Sequence, residues 1–143
     1  MKIVLLSPSS KFDGIPLHPG QGPLVLSAPD PVSVAFATRL FPDRRIEVKA
    51  LYGEPRLSPG VLSLLGFLAG LKKADETPEH LKARVVACAT RLIGISKSDG
   101  EGIMVAGPIL SRLLGLKLAG IGYRGPFLRS PRPGIRREFE YPS

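Results

Sequence analysis

The sequence predicts an α/β protein in three layers, α/β/α, in which helices cover both faces of a mostly parallel central sheet. Short, mostly apolar runs of strand length, such as Lys2–Leu6, alternate along the chain with patterns of helical period. These runs are too uniformly apolar for a sheet with one wet face, and parallel neighbours need crossover helices. The length of the chain suits one domain, so we expect residues 1–143 to form a single α/β unit.

The first half of the chain predicts two buried strands and a helix. Lys2–Leu6 is expected to be central in the sheet, and a proline- and glycine-rich stretch separates it from a second strand at Leu24–Leu26. Asp30 and Pro31 have the residue types of an N-cap and a first helical position. The helix that follows is expected to face the core with Val32, Ala35, Phe36 and Leu40.

The middle of the chain predicts a further strand and two helices. Arg45–Leu51 alternates apolar and polar side chains, which is typical of a half-exposed strand. Val61–Leu71 predicts a helix interrupted by glycine, and Thr77 predicts the N-cap of a longer helix. The predicted core positions of that helix are Leu81, Val85, Cys88 and Leu92.

A strand, a tight turn and a helix are predicted over Gly102–Leu118. Ile103–Val105 is a short buried strand, and Gly107 followed by Pro108 predicts an N-cap and a first helical residue. Ligands of α/β sheets bind beyond the carboxyl ends of the strands, but Ala106, Gly107 and Pro108 carry no acid, base or nucleophile. A last alternating segment covers Ile135–Tyr141.

Composition limits the classes of function. The net charge is +8, which permits an anionic partner without requiring one. Cys88 is the single cysteine and lies in an apolar helical pattern, so we expect a buried thiol, no disulfide and a cytoplasmic protein. His18 and His80 are far apart in sequence, which predicts no metal site, and nothing indicates a cofactor. Asparagine is absent and arginine outnumbers lysine, as in heat-adapted proteins.

The longest run without a charged residue or a histidine is Leu57–Leu71. It is shorter than the roughly 20 apolar residues that a membrane span needs, so no membrane association is expected. Its glycines weaken a lone helix and permit close approach of another backbone. The run is therefore expected either to pack into the core or to form the interface of a homodimer.

In the order of its elements, the sequence resembles the histidine phosphatase superfamily, which has the phosphoglycerate mutase-like fold, over about four fifths of the chain. The resemblance rests on the strand Lys2–Leu6, the strand and helix of Leu24–Arg39, the carboxylate of Glu54 after Leu51, and the strand, turn and helix of Ile103–Leu110. It implies a phosphoglycerate mutase-like fold with phosphotransfer chemistry at the ends of the strands.

The family residues that carry this chemistry are replaced here. The resemblance implies a phosphoryl-accepting histidine and an arginine where this sequence has Ser7 and Pro8. It implies a phosphate-binding arginine near Val32 and a second histidine at Gly107, and only the carboxylate of Glu54 has a counterpart. We therefore expect a degenerate, catalytically inactive domain with a binding, regulatory or scaffolding role.

Two alternatives remain open. The first is a phosphatase or other phosphotransfer enzyme with a rebuilt active site near Ser9, Ser10, Lys11 and Glu54, with His18 or His80 as a relocated nucleophile. The second is an anion-binding or nucleic-acid-binding protein. The residues that suit a bound phosphate are the side chains of Ser7, Ser9, Ser10 and Lys11 and the N–H groups of Ile109 and Leu110. The serines are equally typical of a plain turn.

The carboxyl-terminal segment is rich in arginine. Its basic residues are Arg124, Arg129, Arg132, Arg136 and Arg137, and Tyr123 and Phe127 lie among them. Such a mixture suits a nucleic-acid backbone. Glu138 and Glu140 close the segment, however, and a solvated, salt-bridged edge is the alternative interpretation.

Overall fold

The computed structural model describes residues 1–9, 24–55, 78–126 and 136–141. Among these residues five strands form one sheet: β1 (Lys2–Leu6), β2 (Leu24–Ser27), β3 (Arg45–Val48), β4 (Glu101–Val105) and β5 (Arg136–Glu140). Their order across the sheet is β3-β2-β4-β1-β5. The first four strands are parallel, and β5 pairs antiparallel with β1.

Three helices cover the sheet within the described residues: α1 (Pro31–Leu40), α2 (Pro78–Asp99) and α3 (Pro108–Ile121). Alternate side chains of β1 separate the two cores. Val4 and Leu6 pack with α1 on one face, whereas Ile3 and Leu5 pack with α2 and α3 on the other. The predicted three-layer α/β/α fold with a mostly parallel sheet is therefore confirmed.

The helix patterns were predicted with different success. The four predicted core positions of α2, Leu81, Val85, Cys88 and Leu92, are all buried. In α1 the inner face is Ser33, Phe36, Ala37 and Leu40. The prediction that Val32 and Ala35 face the core is wrong, since both are exposed. Ser33 takes the inner position because its N–H and hydroxyl donate to the Asp30 carboxylate at 2.9 and 2.8 Å, which satisfies a buried polar side chain.

The strand predicted over Arg45–Leu51 is shorter than expected. It ends at Val48, and Ala50–Tyr52 forms one turn of 3₁₀ helix. Tyr52 ends this turn fully buried, with its hydroxyl donating to the Glu47 carboxylate. The chain thus leaves the sheet after Val48, because the turn that follows buries the Tyr52 ring. The predicted helix of Val61–Leu71 and the Thr77 cap lie outside the described residues.

Candidate functional site

The carboxyl ends of three neighbouring strands meet at one edge of the sheet. The N–H of Ala106, after β4, donates to the carbonyl of Leu6 in β1 at 3.1 Å, and the N–H of Ala28, after β2, donates to the carbonyl of Val105 at 2.9 Å. The connections that follow β1, β2 and β4 therefore begin side by side. This is the edge at which a parallel α/β sheet binds its ligands.

The N-terminus of α3 opens onto this edge, as predicted. Gly107 is the N-cap and Pro108 the first helical residue, and Gly107 has no side chain with which to cap the helix. The carboxylate of Glu54 takes over that role. Its two oxygens accept the N–H groups of Ile109 at 3.1 Å and Leu110 at 2.8 Å. A carboxylate of the chain itself thus occupies the position that was predicted for a bound anion.

Glu54 also lies directly against Gly107. A Cβ atom added to Gly107 would be 2.6 Å from both Cδ and Oε2 of Glu54, closer than real Cβ contacts. A larger residue at this position requires the Glu54 carboxylate to move. Glycine at 107 and a carboxylate on the α3 N-terminus therefore depend on each other.

Arg84 of α2 holds the segment that carries Glu54. Its Nη1 donates to the carbonyl oxygens of Leu51, at 2.8 Å, and Gly53. The Cys88 thiol lies 3.4 Å from the same Leu51 oxygen. A long helix on the sheet thus fixes the backbone on both sides of Tyr52, just before Glu54, so the carboxylate projects from an anchored turn.

Cys88 is buried as predicted, and burial raises the pKa of its thiol to about 11. The thiol is therefore protonated near neutral pH, whereas a nucleophile must be a thiolate. Cys88 is a packing residue of α2.

The structure places the other predicted site residues as follows. Ser7 is buried after β1, and Pro8 and Ser9 are half-buried behind it, at the same edge as Glu54 and Gly107. Val32 is exposed in the first turn of α1, and His80 is exposed in the first turn of α2. Ser10, Lys11 and His18 lie outside the described residues. The anion-binding set stays a prediction, with its two backbone donors already bound to Glu54.

The arginine-rich segment is divided between the surface and the interior. Arg137 is 1% exposed, and its Nη2 donates to the carbonyl and the hydroxyl of Ser111 at 2.6 and 2.7 Å. Its guanidinium stacks on Phe139, and burial lowers its pKa. Arg137 is thus no surface charge, in contrast to its place in the predicted nucleic-acid surface. Arg136 is exposed and pairs with Glu138 at 3.4 Å.

Of the other residues in the predicted nucleic-acid surface, the structure describes Arg124 but not Arg129, Arg132 or Phe127. Arg124 is exposed, and its backbone forms an antiparallel bridge with Glu140, the last residue of β5. Within the described ranges, no group of three or more histidine, cysteine or acidic residues has the arrangement of a metal site. None of the helices described has a stretch long and apolar enough to cross a bilayer.

The pairing of Glu54 with α3 and the role of Arg84 were not predicted from the sequence. Glu54 is 55 residues from Ile109, and no local pattern links them. The one available signal was Gly107 itself, because an N-cap without a side chain leaves the first N–H groups to a partner from elsewhere.

Several solved structures have the same fold as this chain. No protein-family model and no curated protein sequence matches the chain. A candidate α-ribazole-5′-phosphate phosphatase from Escherichia coli matches with a TM-score of 0.66 at 14% identity, over 96% of this chain and 89% of that one. This architecture is the phosphoglycerate mutase-like fold of histidine phosphatases, as the resemblance implied.

Two further structures agree. The α-ribazole phosphatase of Shigella flexneri matches with a TM-score of 0.66 at 13% identity, and the product of open reading frame Rv3214 of Mycobacterium tuberculosis with 0.63 at 11%. Each match covers 96% of this chain and 89% of the other. At such identities the likeness establishes the fold and leaves the chemistry to the site.

Proposed function

We propose that this chain is a histidine-phosphatase-like domain that no longer transfers phosphoryl groups and has a binding or scaffolding role. The observation that carries the proposal is the Glu54 carboxylate on the N–H groups of Ile109 and Leu110. Phosphoryl transfer depends on donors and cations that stabilise charge on the phosphoryl oxygens. Here a negative group already uses the donors, and it would repel an incoming phosphate.

The residues around Glu54 support the same conclusion. Where the family resemblance implies histidines, this chain has Ser7 or Pro8 after β1 and Gly107 after β4. A serine hydroxyl is a weak nucleophile unless a base removes its proton. Gly107 additionally leaves the space that the Glu54 carboxylate fills. The replaced histidines and the Glu54 carboxylate beside Gly107 thus both favour a site that does not accept a phosphoryl group.

One observation favours a second candidate, a phosphatase with a rebuilt site. One of the structures that share the fold is named as a candidate α-ribazole-5′-phosphate phosphatase and a second as an α-ribazole phosphatase. In that case Glu54, at the same strand edge as Ser7 and Ser9, would serve as the proton donor or acceptor. The two candidates differ in what they predict for turnover. The inactive domain has none, whereas the enzyme has turnover that depends on the ionisable carboxylate of Glu54.

The test is phosphate release from p-nitrophenyl phosphate and from α-ribazole 5′-phosphate. We expect the wild-type protein and the Glu54→Gln, His18→Ala and His80→Ala variants to give the same rate as a protein-free blank. Glu140→Gln, at an exposed position of β5, is the matched control for Glu54→Gln. Turnover by the wild-type protein that is lost in Glu54→Gln and kept in Glu140→Gln would refute the inactive domain and establish the rebuilt enzyme.

A further inference from the structure

A groove between α2 and α3 contains about 380 Å³ of space. Among the described residues, its apolar lining consists of Leu81, Val85, Val86, Leu113 and Leu116. Leu81 and Val85 are only 8% and 7% exposed, whereas Val86 and Leu116 are 39% and 44% exposed. The groove thus has a buried apolar base and open apolar walls. Exposed apolar surface of this kind favours an apolar occupant.

Two lysines also line the groove, Lys82 on α2 and Lys117 on α3. In the part of the chain that the structure describes, neither ammonium group forms an ion pair, although Lys2 pairs with both Glu101 and Glu138. The acid nearest along α2 is Glu79, one turn before Lys82. Each helix therefore offers a cation beside the apolar base. An occupant with an apolar body and a negative group complements both features.

The dimensions select the kind of occupant. Small-molecule sites have volumes of roughly 300–1,000 Å³ with mostly apolar linings and a few polar groups, and this groove fits that description. Its lining spans six residues of α2, or about 8 Å of helix. A docked helix with anchors at positions i and i+7 needs about 10.5 Å. A second copy docked about a two-fold axis would bring the lysines of both molecules to the same interface, where their like charges would oppose the contact.

We infer that the groove binds a single-chain anionic amphiphile, that is, an acyl chain with a carboxylate or phosphate head group. The acyl chain packs against the leucines and valines of the groove, and Lys82 and Lys117 bind the head group. The residues concerned are separate from Glu54 and its partners. The binding would therefore give the domain a ligand independent of the strand edge.

Calorimetric titration with dodecanoate, dodecyl phosphate and dodecyltrimethylammonium, each below its micelle concentration, tests the inference. We expect both anionic compounds to bind and the cationic one, which has the same chain, to bind at least about tenfold more weakly. The double variant Lys82→Glu/Lys117→Glu should reverse this preference. Lys97→Glu, an exposed charge reversal elsewhere on α2, should leave it unchanged.

The apolar contribution has its own matched pair. Leu116→Glu should abolish binding of dodecanoate, whereas Ile121→Glu should not, because Ile121 is 42% exposed on the same helix but does not line the groove. Circular dichroism confirms that each variant is folded. If Leu116→Glu does not fold, the lysine reversal decides alone.

Three results would overturn the inference. The first is equal affinity for the anionic and cationic compounds. The second is binding to vesicles of equal parts phosphatidylcholine and phosphatidylglycerol without binding of free dodecanoate, which indicates a membrane surface. The third is a dimer in light scattering that Leu116→Glu dissociates, which indicates a second copy as the occupant.

Discussion

Among the single residues, Glu54 is the side chain that stabilises the N-terminus of α3 at the carboxyl ends of the strands. A carboxylate on the first N–H groups of a helix stabilises it through hydrogen bonds and through the helix dipole. We expect Glu54→Ala to lower the free energy of unfolding by about 1–2 kcal/mol. Glu54→Gln keeps an acceptor without the charge and should lose less. Urea unfolding measures both, and an equal loss in the exposed control Glu140→Ala would contradict the assignment.

The same variant tests whether the donors can receive an external anion. With Glu54 in place the N–H groups of Ile109 and Leu110 are used, so phosphate should raise the melting temperature of the wild-type protein only through its general exclusion from protein surfaces. In Glu54→Ala these groups are free, and phosphate should give an additional rise. The absence of that rise would show that the edge lacks the further donors that a phosphate needs.

At the scale of the element, α1 begins at a complete cap. Asp30 accepts from the N–H and the hydroxyl of Ser33, and Pro31 fills the first helical position. We expect Asp30→Ala to cost about 1 kcal/mol, because it removes the cap and also leaves the buried Ser33 hydroxyl without its acceptor. Asp43→Ala, an exposed acid just after the helix, should cost almost nothing. Equal urea midpoints for the two variants would refute this account of α1.

At the scale of the whole molecule, self-association through Leu57–Leu71 stays a prediction, since the run lies outside the described residues. If it forms a dimer interface, Leu65→Asp should give a folded monomer, because a carboxylate is costly in an apolar interface and harmless once exposed. If it packs into the core, the same variant should unfold. Light scattering with circular dichroism separates these outcomes. A folded variant of unchanged oligomeric state would exclude both.

The layered fold and much of its core follow from the amino-acid sequence. The periods of the apolar residues report which face of an element is buried, and so β1, the core positions of α2 and the Gly107 and Pro108 start of α3 were predictable. The residue types at Asp30 and Pro31 likewise fixed the start of α1. The error at Val32 arose because periodicity ranks apolar residues alone, and a serine satisfied by its cap took the inner position.

The arrangement of the site depends on contacts between segments that are far apart in the sequence. Glu54 reaches Ile109 and Leu110 because the connection after β3 and the start of α3 lie at the same edge of the sheet, a proximity that sheet order creates and no local pattern contains. Arg137 is buried because β5 pairs antiparallel with β1 and lies under α3. There the carbonyl oxygen of Ser111 accepts a hydrogen bond from the Arg137 guanidinium. Periodicity records the environment of each element separately. Contacts between distant segments depend on the three-dimensional packing of those elements.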